Sequence, residues 1–242
     1  MPPQPAPEAH LAKERAHGTG AGDRRGDLDG RAAGGGPGRL GLEHHHPLGH
    51  RHGPARDLLP QPAPAANSAG LRYTPSPERR RANLDRFLAG WRGDAKSRRE
   101  LEAVLRDPTF MPKLEAELGR FGLRSDNLAD AYTVWWINVW HAAHGVTGDP
   151  TQASVKAVKA QSERAMLATP GLAGGDDAGK QAMAEALLLQ AVLIGSAAEQ
   201  AKADPAQLRQ IGDAARRSAR GFGLDLDAFT LTDAGFVPAR SG

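Results

Sequence analysis

No cysteine occurs anywhere in the 242-residue chain. That absence excludes disulfides, thiolate nucleophiles and cysteine-ligated zinc. Other absences are local. Residues 1–60 contain no Val, Ile, Phe, Tyr, Trp, Ser or Asn, and every Phe, Tyr and Trp lies beyond residue 70. A stretch of that composition cannot bury enough apolar area to offset the entropy of ordering it. Residues 1–69 are therefore expected to be a disordered Gly/Pro/His/Arg-rich tail. It reads either as a flexible segment or as a start assigned too far upstream in a high-GC gene. Its run from Glu43 to His52 is rich in imidazole, and in a disordered tract such a run binds metal without a fixed coordination shell. Residues 70–242 are expected to form a single all-α domain.

A surplus of charge is missing too. Lys and Arg number 31 against 28 Asp and Glu, a formal net charge of +3. With no basic stripe to displace counterions, nucleic acid is not expected as a partner. No run reaches the ~18 to 20 apolar residues of a membrane span. The longest, Ala186 to Ala198, is broken by Gln190, so no transmembrane segment is expected. Met1 to His10 carries no basic region followed by an apolar one, so no signal peptide stands in the sequence as written.

What is present is a succession of helix signals. Ser76-Pro77-Glu78 combines a capping hydroxyl, a proline at the first helical position and an acid in the first turn. Leu84, Phe87, Leu88 and Trp91 follow at helical spacing, with Gly93 as the stop. Asp94 caps a second helix with Leu101, Val104 and Leu105. A third carries Phe110, Met111, Leu114, Leu118 and Phe121, with Gly122 as a left-handed cap. Ser125 is expected to cap a fourth helix, 126–144. A fifth starts near Thr151, a sixth spans about Asp176 to Ala203, and a seventh starts at Asp204-Pro205. No run shows sustained period-two alternation, so essentially no sheet is expected beyond a β-like stretch at Phe229 to Leu231.

Two of these helices, Tyr132 to Ala143 and Ala186 to Ala198, are apolar nearly all round, which marks buried helices. The expected architecture is all-α, with about seven helices, five of them amphipathic around these two apolar central ones.

The densest cluster of unusual side chains lies on the fourth helix. Trp136, Trp140 and His144 share one face, His141 lies on another, and Asn138 is polar within an apolar run. The cluster reads either as core with histidines closing the last turn, or as a pocket with Trp walls and Asn138 or a histidine as polar contacts. If buried, Asn138 requires a hydrogen-bond partner, and Gln190 on the other apolar helix is the one to examine. Two histidines one turn apart with no third ligand do not make a metal site, and no metal, cofactor or catalytic residue is expected. Gly174 to Lys180 spells the start of a phosphate-binding loop, but Gln181 stands where a hydroxyl is required and no strand precedes it. Asp176 and Asp177 read instead as helix N-terminal charges. Glu163, Glu185 and Glu199 read as a solvated helix face.

Three segments carry a resemblance. Leu71-Arg72-Tyr73-Thr74-Pro75-Ser76-Pro77-Glu78-Arg79-Arg80, then Ala129-Asp130-Ala131-Tyr132-Thr133-Val134-Trp135-Trp136-Ile137-Asn138, then Glu185-Ala186-Leu187-Leu188-Leu189-Gln190 together resemble an uncharacterised bacterial family of small helical proteins labelled a domain of unknown function. The likeness runs from about Leu71 to Phe236. It brings no catalytic residue with it. Members of that family begin with an export signal, which implies a periplasmic or secreted protein if the true start encodes one, and a cytoplasmic protein if the chain is as written. The expected function is a non-enzymatic helical binding or interaction domain of the bacterial cell envelope with a protein partner. The alternative is a small-molecule-binding protein or enzyme using a pocket beside the Trp-rich helix 126–144.

Overall fold

Helix-capping chemistry sets the element order. The computed structural model describes residues 68–239; residues 1–67 of the expected tail, with the histidine run, lie outside the described residues, while Ser68 and Ala69 belong to a 3-10 turn, Ser68–Leu71. Seven α-helices occur there: α1 (Pro77–Ala89), α2 (Ala95–Arg106), α3 (Phe110–Arg120), α4 (Leu128–His144), α5 (Gln152–Ala168), α6 (Asp177–Gln200) and α7 (Pro205–Gly221). The hydroxyl of Ser76 accepts from the Arg79 amide at the head of α1, and Asp94 accepts from Lys96 and Ser97 at the head of α2. Thr151, Asp176 and Asp204 cap α5, α6 and α7 in the same way. Each bond satisfies an amide that has no partner within its own helix. Gly122 takes a φ of +68° just after α3, the left-handed turn expected of it.

Helix α4 starts later than the sequence suggests. Its cap is Asn127, which accepts from the amides of Ala129 and Asp130, while the Ser125 hydroxyl donates to Glu115 at 2.8 Å. The reason is tertiary. The Tyr73 amide donates to the Asp126 carbonyl, the Tyr73 hydroxyl donates to the Ser125 carbonyl at 2.6 Å, and Arg72 pairs with Asn127 as an isolated bridge. The incoming chain ties residues 125–127 into a turn and a bridge, with Asn127 extended, so the helix begins after them.

The core is built on α4. From Leu128 to Ala143 its side chains are buried, with only Val134, Asn138, Trp140 and His141 partly exposed. Helices α5, α6 and α7 pack around it. Trp135 is fully buried against Phe222 at 4.5 Å between ring centroids, and its Nε1 donates to Gln190 of α6 at 3.2 Å. Gly212 lets α7 come close, since a Cβ there would lie 3.0 Å from the Ala142 carbonyl. Asp130 is also fully buried, with the Lys159 ammonium of α5 2.8 Å from one carboxylate oxygen and the Arg124 amide donating to the other. Burial pushes the Asp130 carboxyl above its usual range, and Lys159 pulls against that shift.

A small sheet completes the cover. The β-like stretch is a true strand, β1 (Phe229–Thr232), paired antiparallel with β2 (Gly235–Pro238) in the register Phe229 to Pro238 and Thr232 to Gly235. Among the described residues this hairpin is the whole of the sheet, in keeping with the expectation of essentially no sheet beyond that stretch. Four-residue strands are too short to show an alternation. What orders the hairpin is α5: Gln161 exchanges two hydrogen bonds with the backbone of Phe236, at 2.7 and 2.9 Å. Gly235 permits that approach, because a Cβ there would meet Gln161 Oε1 at 2.6 Å.

Helix α6 is covered on one side only. Gln181, Ala184, Leu188, Ala191, Ile194 and Ala198 are buried, while Met183, Ala186, Leu189, Val192 and Leu193 are half-buried. The expectation that no segment matches a membrane span needs amending. Over its 24 residues α6 is long and apolar enough to cross one by length and composition, with a mean hydropathy of 1.4 in its most apolar stretch. In the fold it is a core helix, and it buries Lys180, Gln181 and Glu185.

The asymmetry of α6 is testable with two neighbouring leucines. Leu188→Ala should cost about 2–5 kcal/mol through lost burial and a cavity, whereas Leu189→Ala should cost under about 1 kcal/mol. Denaturant melts of the two variants check this, and equal losses would show α6 buried all round.

Candidate functional site

The residues singled out on α4 do not converge on a cavity. Trp136 is fully buried and stacks on Phe236 at 4.1 Å, beneath the hairpin. Trp140 donates from Nε1 to the Phe229 carbonyl at 3.0 Å and stacks on His144 at 4.2 Å. His144 is exposed, with Nδ1 2.9 Å from the Trp140 carbonyl and Nε2 3.6 Å from Asp227. Asp227 is held chiefly by Arg216, whose hydrogen bonds keep its carboxyl below the usual range. His141 is half-buried, and burial, with His144 nearby, pushes its imidazole down. Asn138 does not meet Gln190. It donates to the Val134 carbonyl of its own helix at 2.9 Å, and its Oδ1 faces Gly195, where a Cβ would come within 2.7 Å. Gln190 serves Trp135 instead.

The substantial cleft lies along α6, beneath the α1–α3 segment, and reaches in to Leu128 of α4 and to Phe222. The α1–α3 segment folds over the outer face of that helix and leaves a space of about 860 Å³. Leu84 and Phe87 of α1, Trp91 just beyond its end, and Phe110, Met111 and Leu114 of α3 form one wall. Met183, Ala186 and Leu189 of α6 form the other. These are the apolar stripes that periodicity marks on α1 and α3, yet Leu88 is the only fully buried residue of α1 and Leu118 of α3. Their remaining apolar side chains face the cleft.

A buried polar network closes the end where α1 begins. Gln181 is fully buried and has every amide valence in use. Its Oε1 accepts from the Ser76 amide at 3.0 Å and from Arg79 Nε at 2.8 Å. Its Nε2 donates to the Ser76 carbonyl and to Glu185, both at 2.9 Å. Glu185 also accepts from Arg80 at 3.0 Å and from Asn83 at 2.6 Å. The expectation that Glu185 sits on a solvated face is thus corrected: it is 7% exposed and ties α1 to α6. Of the other two acids, Glu163 is half-buried, with its carboxyl raised by burial, and Glu199 is exposed and pairs with Lys202. Asp176 and Asp177 act as expected of helix-end acids: Asp176 accepts from the Gly179 amide at 2.7 Å, and Asp177 from the Thr74 amide at 3.1 Å.

Four cations, Arg80, Arg86, Arg92 and Lys180, and two carboxylates, Asp176 and Glu185, line the cleft. Sequence reasoning missed its site role. The available signal was an excess of apolarity: α6 carries Ala186, Leu187, Leu188 and Leu189 in a row, more than one buried face can use.

Comparison with known proteins agrees with the resemblance. The chain belongs to the Family of unknown function (DUF6683), whose sequence model matches residues 50–238. The match reaches further back than Leu71, into residues that the expected domain boundary assigns to the tail. No curated protein and no solved structure matches the chain.

Glu185→Ala should leave Arg80, Asn83 and Gln181 short of an acceptor. A loss of about 1–3 kcal/mol is expected, with faster limited proteolysis between α1 and α2. Unchanged melting and proteolysis would mean that the network does not hold α1 in place.

Proposed function

We propose that this domain is a non-enzymatic binding module for a small molecule with an apolar body, held in the cleft between the α1–α3 segment and α6. One observation carries the reading: a space of about 860 Å³ walled by aromatic and aliphatic side chains from three helices, with charged groups gathered at its margin. Ligand sites are typically concavities of roughly 300–1,000 Å³, mostly apolar, with a few polar groups to fix orientation.

The cleft's carboxylates support binding over catalysis. Glu185 is occupied by three donors and Asp176 by the cap of α6, so neither is free to move a proton. The proposed pocket lies between α6 and the α1–α3 segment, and Trp136 and Trp140 are engaged with the β-hairpin instead. A carrier or sensor of an apolar compound suits the cell envelope that the family resemblance implies, and that location is part of the proposal.

The test is a titration of the full chain with a neutral, environment-sensitive apolar dye such as N-phenyl-1-naphthylamine. Saturable binding to one site is expected. Ala186→Phe, which fills the cleft, should weaken it at least tenfold, about 1.4 kcal/mol, while a His141→Ala, His144→Ala double variant leaves it unchanged. Absence of saturable binding, or equal affinity in Ala186→Phe, would overturn the reading.

A further inference from the structure

Among the described residues, one cation of the cleft is buried without an ion pair. Lys180, in the first turn of α6, is only 9% exposed and lines the cleft. Its Nζ donates to the backbone carbonyl of Ala173 at 3.1 Å, and among the described residues it forms no ion pair with a carboxylate. The nearby acids are already engaged: Glu185 holds Arg80, and Asp176 caps the helix. An ammonium has three donors, and a buried charge without a counter-charge is unfavourable. A ligand that brings an anion to this point removes the imbalance.

We infer that the cleft takes an amphipathic monoanion, a long-chain carboxylate whose head group pairs with Lys180 while its chain lies between Phe87, Phe110 and Leu189. The inference rests on the reading of the cleft as a ligand site and adds the class of ligand. A single negative charge matches the one buried, unpaired ammonium, Arg86 and Arg92 being exposed to water. A doubly charged phosphate would face the carboxylates of Asp176 and Glu185, which line the same cleft. Arg86 and Arg92, exposed at the cleft's margin, raise the local concentration of anions and favour their entry.

The experiment displaces the neutral dye from the full chain with laurate, dodecanol and dodecyl phosphate, below their micellar concentrations. Laurate should compete at least tenfold more strongly than dodecanol, and more strongly than dodecyl phosphate. Lys180→Met should bring laurate down to the level of dodecanol without weakening dodecanol. Lys180→Arg, which keeps the charge, should retain the preference and guards against a variant that fails to fold. Equal binding of laurate and dodecanol, a preference that survives Lys180→Met, or tighter binding of the phosphate would overturn the inference while leaving the apolar cleft intact. If neither the dye nor any amphiphile binds, the cleft reading itself fails and this inference with it.

Discussion

Helix α4 presents apolar side chains on almost every side, and this one fact distributes the rest of the chain. Burying it calls for neighbours all round: α5, α6 and α7 pack against it, and the hairpin seats Phe236 on Trp136. Those elements have their apolar faces committed to α4. The outer side of α6, with Met183, Ala186 and Leu189, is left for the α1–α3 segment, and that cover is incomplete. The cleft is what remains when one apolar helix takes the core and a second is covered on one face.

The incomplete cover is held in place by polar contacts. Gln181 and Glu185 sit on α6 where the head of α1 crosses it, and they join Ser76, Arg79, Arg80 and Asn83 in one network. Its members are largely shielded from water, so a missing partner is costly. This fixes α1 to α6 at its start, while further along α1 Asp85 pairs with Arg106 of α2 and Leu84 and Phe87 line the cleft. The polar network thus anchors the cleft at one end, and apolar side chains line most of its length.

Much of this was legible in the sequence, because much of it is local chemistry. Ser76, Asp94, Thr151, Asp176 and Asp204 cap helices where a short polar side chain precedes an apolar repeat, and the all-apolar run of α4 announced its burial. What was not legible depends on contacts distant in sequence. Ser125 resembles a cap, but the hydroxyl of Tyr73, 52 residues earlier, bonds its carbonyl in a turn ahead of the helix. Gln190 faces α4 as expected, yet its partner is Trp135 and not Asn138. The hairpin exists because Gln161 is ready to bond its backbone. The cleft was hidden for the same reason: the stripes of α1 and α3 look like ordinary core stripes until the spacing between those helices and α6 is known.

The central claim is that α4 holds the stable core while α1–α3 form a looser wall around a ligand cleft. Hydrogen–deuterium exchange on the full chain, with and without saturating neutral dye, tests it most directly. The account predicts slowest exchange in α4 and the inner face of α6, faster exchange in α1–α3, and dye-induced protection confined to α1, α3 and the first half of α6. Exchange in α1–α3 as slow as in α4, or protection centred on His141 and His144, would contradict it.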